Sequence, residues 1–307
     1  MNTGSNAIPE AAVQSQVIAP AAAIPASRLF YWSVRRELWE NRSIYLAPLA
    51  VAVFTLLAFS FSAIAGIWEP RLRLNPARPQ APYDMAAGLM MLTLILVSVF
   101  YCLDALHGER RDRSILFWKS LPVSDVITVL AKASIPLLLL PLLVFAITVA
   151  MQWMMLLVST VVVMAAGQSV STLWTNVPLA QMSLLLLYHL VTAHLLWPAP
   201  MYCWLLLVSA WARRAPFLWA VLPLIAVAAV EKIAFNSLHF AGLLASRIIG
   251  GGAPTNAMTM PGMFPTNPMT HLTPDKFLSS PGLWIGLVVA AAFLAAAVRV
   301  RRSQGPI

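Results

Sequence analysis

Charged side chains are scarce in this sequence: they make up 10% of its 307 residues, against 60% that are hydrophobic. A soluble chain of this size cannot hide that much apolar surface, so several segments must face lipid. Cysteine is nearly absent. Cys102 and Cys203 lie in or beside apolar runs without metal-ligand spacing, which argues against a disulfide framework and fits structural thiols. The start of the chain lacks the basic region and long apolar core of a signal peptide. Residues 1–26 are rich in Ala, Pro, Ser and Gln and read as a disordered tail. No glycine-rich loop ends in Gly-Lys-Ser or Gly-Lys-Thr, so the chain itself is not expected to bind ATP, and no metal or other cofactor is expected on it. Acidic residues are few, 11 against 20 Lys and Arg, giving a formal charge of +9. In a soluble protein that excess would point to nucleic acid. Here the basic residues sit at the ends of apolar runs, where membrane topology requires them, and no nucleic-acid partner is expected.

What the chain does have is apolar runs of membrane-spanning length. They fall at 44–66, 83–106, 133–155 (apolar on to 166), 179–212, 217–235 and 281–298. The first alone gives a helix of roughly 34 Å, enough to cross a hydrocarbon core of ~30 Å. The fourth is too long for one plain span, and Pro198 and Pro200 interrupt it. A broken or re-entrant first half is expected there, then a span ending at Arg213-Arg214. The predicted fold is an all-α integral membrane protein with six transmembrane helices occupying 44–302. With the first residues inside, fourteen of the 20 Lys and Arg lie on the inner side, among them Arg28, Arg42, Lys132, Arg299, Arg301 and Arg302. Both termini are therefore expected in the cytoplasm.

Ahead of the first span, residues 27–43 place Leu29, Trp32, Arg36 and Trp39 at helical spacing, with Arg35, Glu37 and Glu40 elsewhere around the turn. This reads as an amphipathic helix in the inner interface, with Arg36 snorkelling from its apolar side, or more simply as an aromatic anchor for the span that follows. The proline-rich stretch 69–82 reads as an outer turn. Residues 236–280 read as an outer loop, with a short interfacial helix near 238–248. Met258, Met260, Met263 and Met269 in that loop lack a supporting cysteine or histidine pair, so they fit an apolar loop on the membrane better than a soft-metal site.

The most informative segment is the charged block at 107–125. Glu109, Arg110, Arg111, Asp112 and Arg113 come first, followed by the apolar patch Ile115, Leu116, Phe117 and Trp118, then Lys119. Pro122 breaks any helix near Leu121, and Ser124 or Asp125 can cap the next one. The physical reading is a short helix at the membrane surface, joined to two spans, with Phe117 and Trp118 as anchors for a soluble partner. The plainer alternative is that the arginines set topology and the aromatics sit at the interface.

The phrase from Glu109 to Ser124 resembles the segment after the second span of ABC-2 type transporter permeases, the membrane subunits of ATP-binding cassette exporters. Residues 28–42 resemble that family's N-terminal interfacial elbow, and 202–217 resemble a further segment of bacterial members. The resemblance covers roughly residues 28–302. It implies a permease subunit of the bacterial inner membrane, paired with a second permease chain as a homodimer. Two copies of a separate cytoplasmic ATPase subunit would carry ATP and Mg2+. On this reading 109–120 form the coupling helix and its approach, and Trp32, Arg35, Arg36 and Trp39 belong to the elbow.

Few polar groups lie within the runs. Gln152, His189 and His194 are candidates for a transport pathway, although Gln152 could equally bond between helices. His189 and His194 are five positions apart, roughly 140° around a helix, which is poor metal geometry. Asp84 and Asp104 bracket the second run, and Glu231 and Lys232 lie near the outer end of the fifth. A secondary transporter driven by ions would need acids near the midplane beside broken helices, and here the acids fall near span ends. A membrane enzyme finds no recognised constellation. A scaffold subunit that docks a soluble protein without transport also fits the charged block.

Overall fold

The computed structural model describes residues 24–68, 80–121, 123–249 and 277–305. Expectations for the tail before residue 24, for 69–79, for Pro122 and for loop residues 250–276 with their four methionines lie outside the described residues.

Among the described residues every regular element is helical. Six helices are long and apolar enough to cross a membrane, as the hydropathy predicts. The chain opens with α1 (Ala26–Glu40), then α2 (Ser43–Trp68) and α3 (Ala81–Ala105). Two short helices follow, α4 (His107–Arg111) and α5 (Ile115–Ser120). Arg113 between them has φ 59, a left-handed turn that folds α5 back from α4. Leu121 is extended (ψ 150), as the residue before a proline should be.

The third crossing is longer than the hydropathy suggests. It consists of α6 (Asp125–Ser134), a π turn (Ile135–Leu139) and α7 (Leu140–Ala165). Ser124 caps it, its Oγ accepting the Ile127 N–H at 3.3 Å. The apolar pattern underestimates this helix because Lys132 looks like a boundary, whereas the residue is buried inside the bundle. Pro136 does not end the helix, since the wide π turn accommodates a residue that lacks an N–H.

The 179–212 run resolves into α9 (Leu179–His189), a second π turn (Leu190–Leu196) and α10 (Ala199–Trp211), preceded by the short α8 (Val170–Asn176). Its two ends fix its course. The Asn176 carbonyl accepts from Gln80 Nε2 (2.9 Å) at the start of α3. Ser209 Oγ accepts from the Leu106 and His107 N–H groups (3.0 and 2.9 Å) at the end of α3. The segment thus starts at one end of α3 and finishes at the other, and it is broken at Trp197–Pro198, as its prolines predict.

Next come α11 (Pro216–Phe235), α12 (His239–Ile249) and α13 (Pro281–Ser303). Glu231 folds α12 back onto α11 by accepting from Ser237 Oγ (2.7 Å) and from the His239 and Phe240 N–H groups (both 2.8 Å). In the bundle, α10 packs along α13 and α3, and α2 packs along α7 and α3. Tyr83, Met90, Leu94, Leu140, Met155 and Leu206 fill its core.

Candidate functional site

One end of the bundle gathers α1, the 107–120 segment, the start of α6 and the end of α13. Both described ends of the chain therefore lie on the same side. The faces of α1 sort its residues. Trp32 and Trp39 point outward, with Arg35 stacked over both rings at 5.2 and 5.0 Å. Ser33 and Glu37 point into the protein, Glu37 only 1% exposed.

Around Glu37 is a buried charge network. Lys132 Nζ lies 2.8 Å from Glu37 Oε1 and 3.1 Å from Glu109 Oε1. Arg36 Nη2 reaches the same two carboxylates at 2.7 and 3.2 Å. Arg301 reaches Glu109 through Nη1 and Asp125 through Nε, the latter at 3.0 Å. Tyr101 donates its hydroxyl to Glu37 Oε2 at 3.0 Å. The cations Arg36, Lys132 and Arg301 thus balance the carboxylates Glu37, Glu109 and Asp125, which is the condition under which charges persist away from water. Burial pushes the Glu37 carboxyl up, but Lys132 and Arg36 outweigh it and hold it below its ordinary value.

The 107–125 residues divide in two. Glu109 and Arg110 face inward. Arg110 donates to the carbonyls of Ala210 (2.7 Å) and Ala212 (3.3 Å) at the end of α10, and both residues are buried. Each meets buried partners from distant parts of the chain. Arg111, Asp112, Arg113, Phe117 and Lys119 are exposed. Arg111 pairs with Asp112 at 3.1 Å, and Lys119 donates to the Gln304 carbonyl at 2.8 Å. Trp118 is half-buried, edge-on to Phe117 and beneath the Arg36 guanidinium at 3.8 Å. Arg36 therefore does not snorkel. It joins α1 to α5 and to the network. On α5, Ile115 is buried and Leu116 and Phe117 are each 60% exposed, so the helix offers an apolar face next to a rigid base.

The pathway candidates do not come together. Gln152 donates to the Tyr83 carbonyl at 3.2 Å and so ties α7 to α3. His189 Nδ1 lies 3.0 Å from its own helix's Leu185 carbonyl. His194 lines a separate cavity. Among the described residues no cluster of three or more His, Cys, Asp or Glu could hold a metal ion.

Sequence reasoning missed Glu37, Tyr101, Lys132 and Arg301 as parts of one site. A usable signal existed for two of them. Lys132 interrupts an apolar helical run, and Glu37 sits on the face of α1 away from its tryptophans. No family model matches the chain, and no curated protein or solved structure matches it either.

Proposed function

We propose that this chain is the transmembrane permease subunit of an ATP-binding cassette exporter of the ABC-2 type. In this reading it sits in the bacterial inner membrane with both termini in the cytoplasm and pairs with a second copy of itself. The observation that carries the proposal is the seating of α5. Its exposed Leu116 and Phe117 stand on a base that buried ion pairs join to α1, α6 and α13. A soluble ATPase gripping that face would move several spans at once, because the charges beneath it cannot separate cheaply. ATP and Mg2+ stay on the partner, and each permease chain meets one of two ATPase copies. The α1 helix, with its tryptophans outward, serves as the interfacial elbow and carries the motion sideways through Arg36.

The position of the acids favours this reading over transport driven by an ion gradient. Every described Asp and Glu lies at or near the end of a helix: the buried Glu37 and Glu109 are ion-paired to cations, and Asp84, as buried as Glu109, sits in the first turn of α3. A proton or sodium site would place acids near the midplane.

The test is co-expression with a candidate ATP-binding cassette ATPase, purification from membranes and ATP turnover in lipid. A complex whose hydrolysis responds to Phe117→Ser supports the permease reading. A folded protein that recruits no ATPase sinks it.

A further inference from the structure

A cavity of about 510 Å³ lies between α3, the kink at Pro198, α10, α11 and α12. That volume falls in the range of small-molecule sites, roughly 300–1,000 Å³. Its walls are apolar, with Val99, Leu205, Leu224 and Leu244 as examples. Among the described lining residues, side-chain nitrogen and oxygen atoms come only from His194 and Tyr202. His194 makes no hydrogen bond with the described residues, whereas its neighbour His189 is satisfied within its own helix. A neutral imidazole carries one donor and one acceptor, and leaving both unpaired among apolar walls is unfavourable.

The gap is held open by fixed walls. At one end α11 is pinned to α10, by Trp204 Nε1 donating to the Ala220 carbonyl (3.1 Å) and by the Trp211–Trp219 ring pair (5.0 Å). At the other end α12 is pinned to the kink. Arg247 Nη1 donates to the Trp197 carbonyl at 3.1 Å, and Trp197 Nε1 donates to the Ser246 carbonyl at 2.8 Å. Glu231 fixes the hairpin between these ties. Pro223 interrupts the hydrogen bonding of α11 beside cavity residues Val221 and Leu224. Ile225, which lines the cavity, is more than half exposed, as are Leu222 and Val230 on the same helix, so the cavity borders the lipid.

These dimensions select an occupant. The cavity extends from Ile95 to Leu103 along α3, about 12 Å at 1.5 Å per residue. A helix of a second copy, about 10–12 Å across with its side chains, is too thick to enter. An ion or a sugar would meet too few polar partners. We propose that the cavity holds one acyl chain of a membrane phospholipid, with the ester carbonyl at its head accepting a hydrogen bond from His194. The proposal does not depend on the chain being a transporter.

The experiment uses the full chain in vesicles containing a phospholipid with a photoactivatable diazirine in one acyl chain, followed by peptide mapping. Cavity residues such as Leu224 and Leu244 should label at least fivefold more than the lipid-facing Phe54 and Phe61 of α2. Ala228→Trp, which fills the cavity, should lower cavity labelling at least fivefold and leave α2 labelling unchanged. Ala241→Leu, a smaller change on α12, should give a weaker loss and serves if the tryptophan variant does not fold. The wild type should prefer an ester-linked over an ether-linked probe, and His194→Leu should abolish that preference. Cavity labelling no higher than that of α2, or labelling insensitive to filling in a folded variant, would overturn the acyl-chain site. Equal labelling by ester and ether probes in the wild type would overturn the role of His194.

Discussion

Glu109 and Arg301, 192 residues apart in the chain, meet as a buried ion pair beneath the α4–α5 segment. The contact closes the bundle from its second crossing to its last. Glu109 also accepts from Lys132 and Arg36, so one carboxylate holds three cations in place. Replacing it by Gln keeps the shape and removes the charge. Breaking a buried pair from one side costs about 3–5 kcal/mol, because the remaining charges stay out of water. Glu109→Gln should therefore lower the thermal midpoint of the detergent-solubilised protein sharply. Asp112→Asn changes a carboxylate that is mostly exposed and should stay within about 0.5 kcal/mol of wild type.

The same contact predicts non-additivity. Once Glu109 is neutral, Arg301→Gln removes a cation that has lost its main partner, although Asp125 still holds its Nε. The double variant should be more stable than the sum of the two singles implies, by about 0.5–3 kcal/mol. Additive losses in thermal unfolding would show that the two side chains act separately.

Glu37 gives the network a pH dependence with a definite sign. Its carboxyl titrates below the ordinary value of 4.5 because Lys132 and Arg36 outweigh the effect of burial. A carboxylate whose folded pKa is depressed contributes stability that is complete above its unfolded value and is lost as pH falls through the folded one. The thermal midpoint of the wild type should therefore drop on acidification below about pH 4.5. Glu37→Gln should start lower at neutral pH and lose less over the same interval. Parallel curves for the two proteins would contradict this account.

The spans were legible in the sequence because hydropathy alone decides which segments enter lipid, and six such helices are present. The Ser124 cap and the stop at Leu121 were legible because each depends on neighbouring residues only. Two features were not. The course of the 179–212 run is set by hydrogen bonds of Asn176 and Ser209 with opposite ends of α3, about a hundred residues away in the chain. The charge network joins residues such as Glu37, Glu109 and Arg301, whose pairing no local pattern encodes. In a chain this poor in charge, an acid or base beside an apolar run has two readings, boundary or buried partner, and only packing separates them.

Glu231 predicts a local effect. It accepts from the backbone of His239 and Phe240 at the start of α12, standing in for the intrahelical partners that first-turn amides lack. Glu231→Gln keeps a carbonyl acceptor and loses the charge-assisted bonds. Hydrogen exchange in lipid should quicken at Phe240 and its neighbours and stay unchanged at Lys132. Exchange that quickens across the whole protein would mean that the α11–α12 hairpin supports the core rather than hanging from it.

Phe117 separates the proposed docking surface from its foundation. Its ring is exposed and meets Trp118 edge-on at 4.9 Å, so Phe117→Ser removes little buried contact. Its effect on stability should stay within about 0.5 kcal/mol, as for other surface changes. A central aromatic anchor, however, often accounts for 2 kcal/mol or more of an interface, roughly a thirtyfold loss in affinity. On the proposed permease reading, Phe117→Ser should thus weaken recovery of a co-expressed ATPase at an unchanged thermal midpoint, whereas Glu109→Gln should lower both. If Phe117→Ser instead lowers the midpoint and spares ATPase binding, the α5 face is part of the fold and not the proposed docking surface.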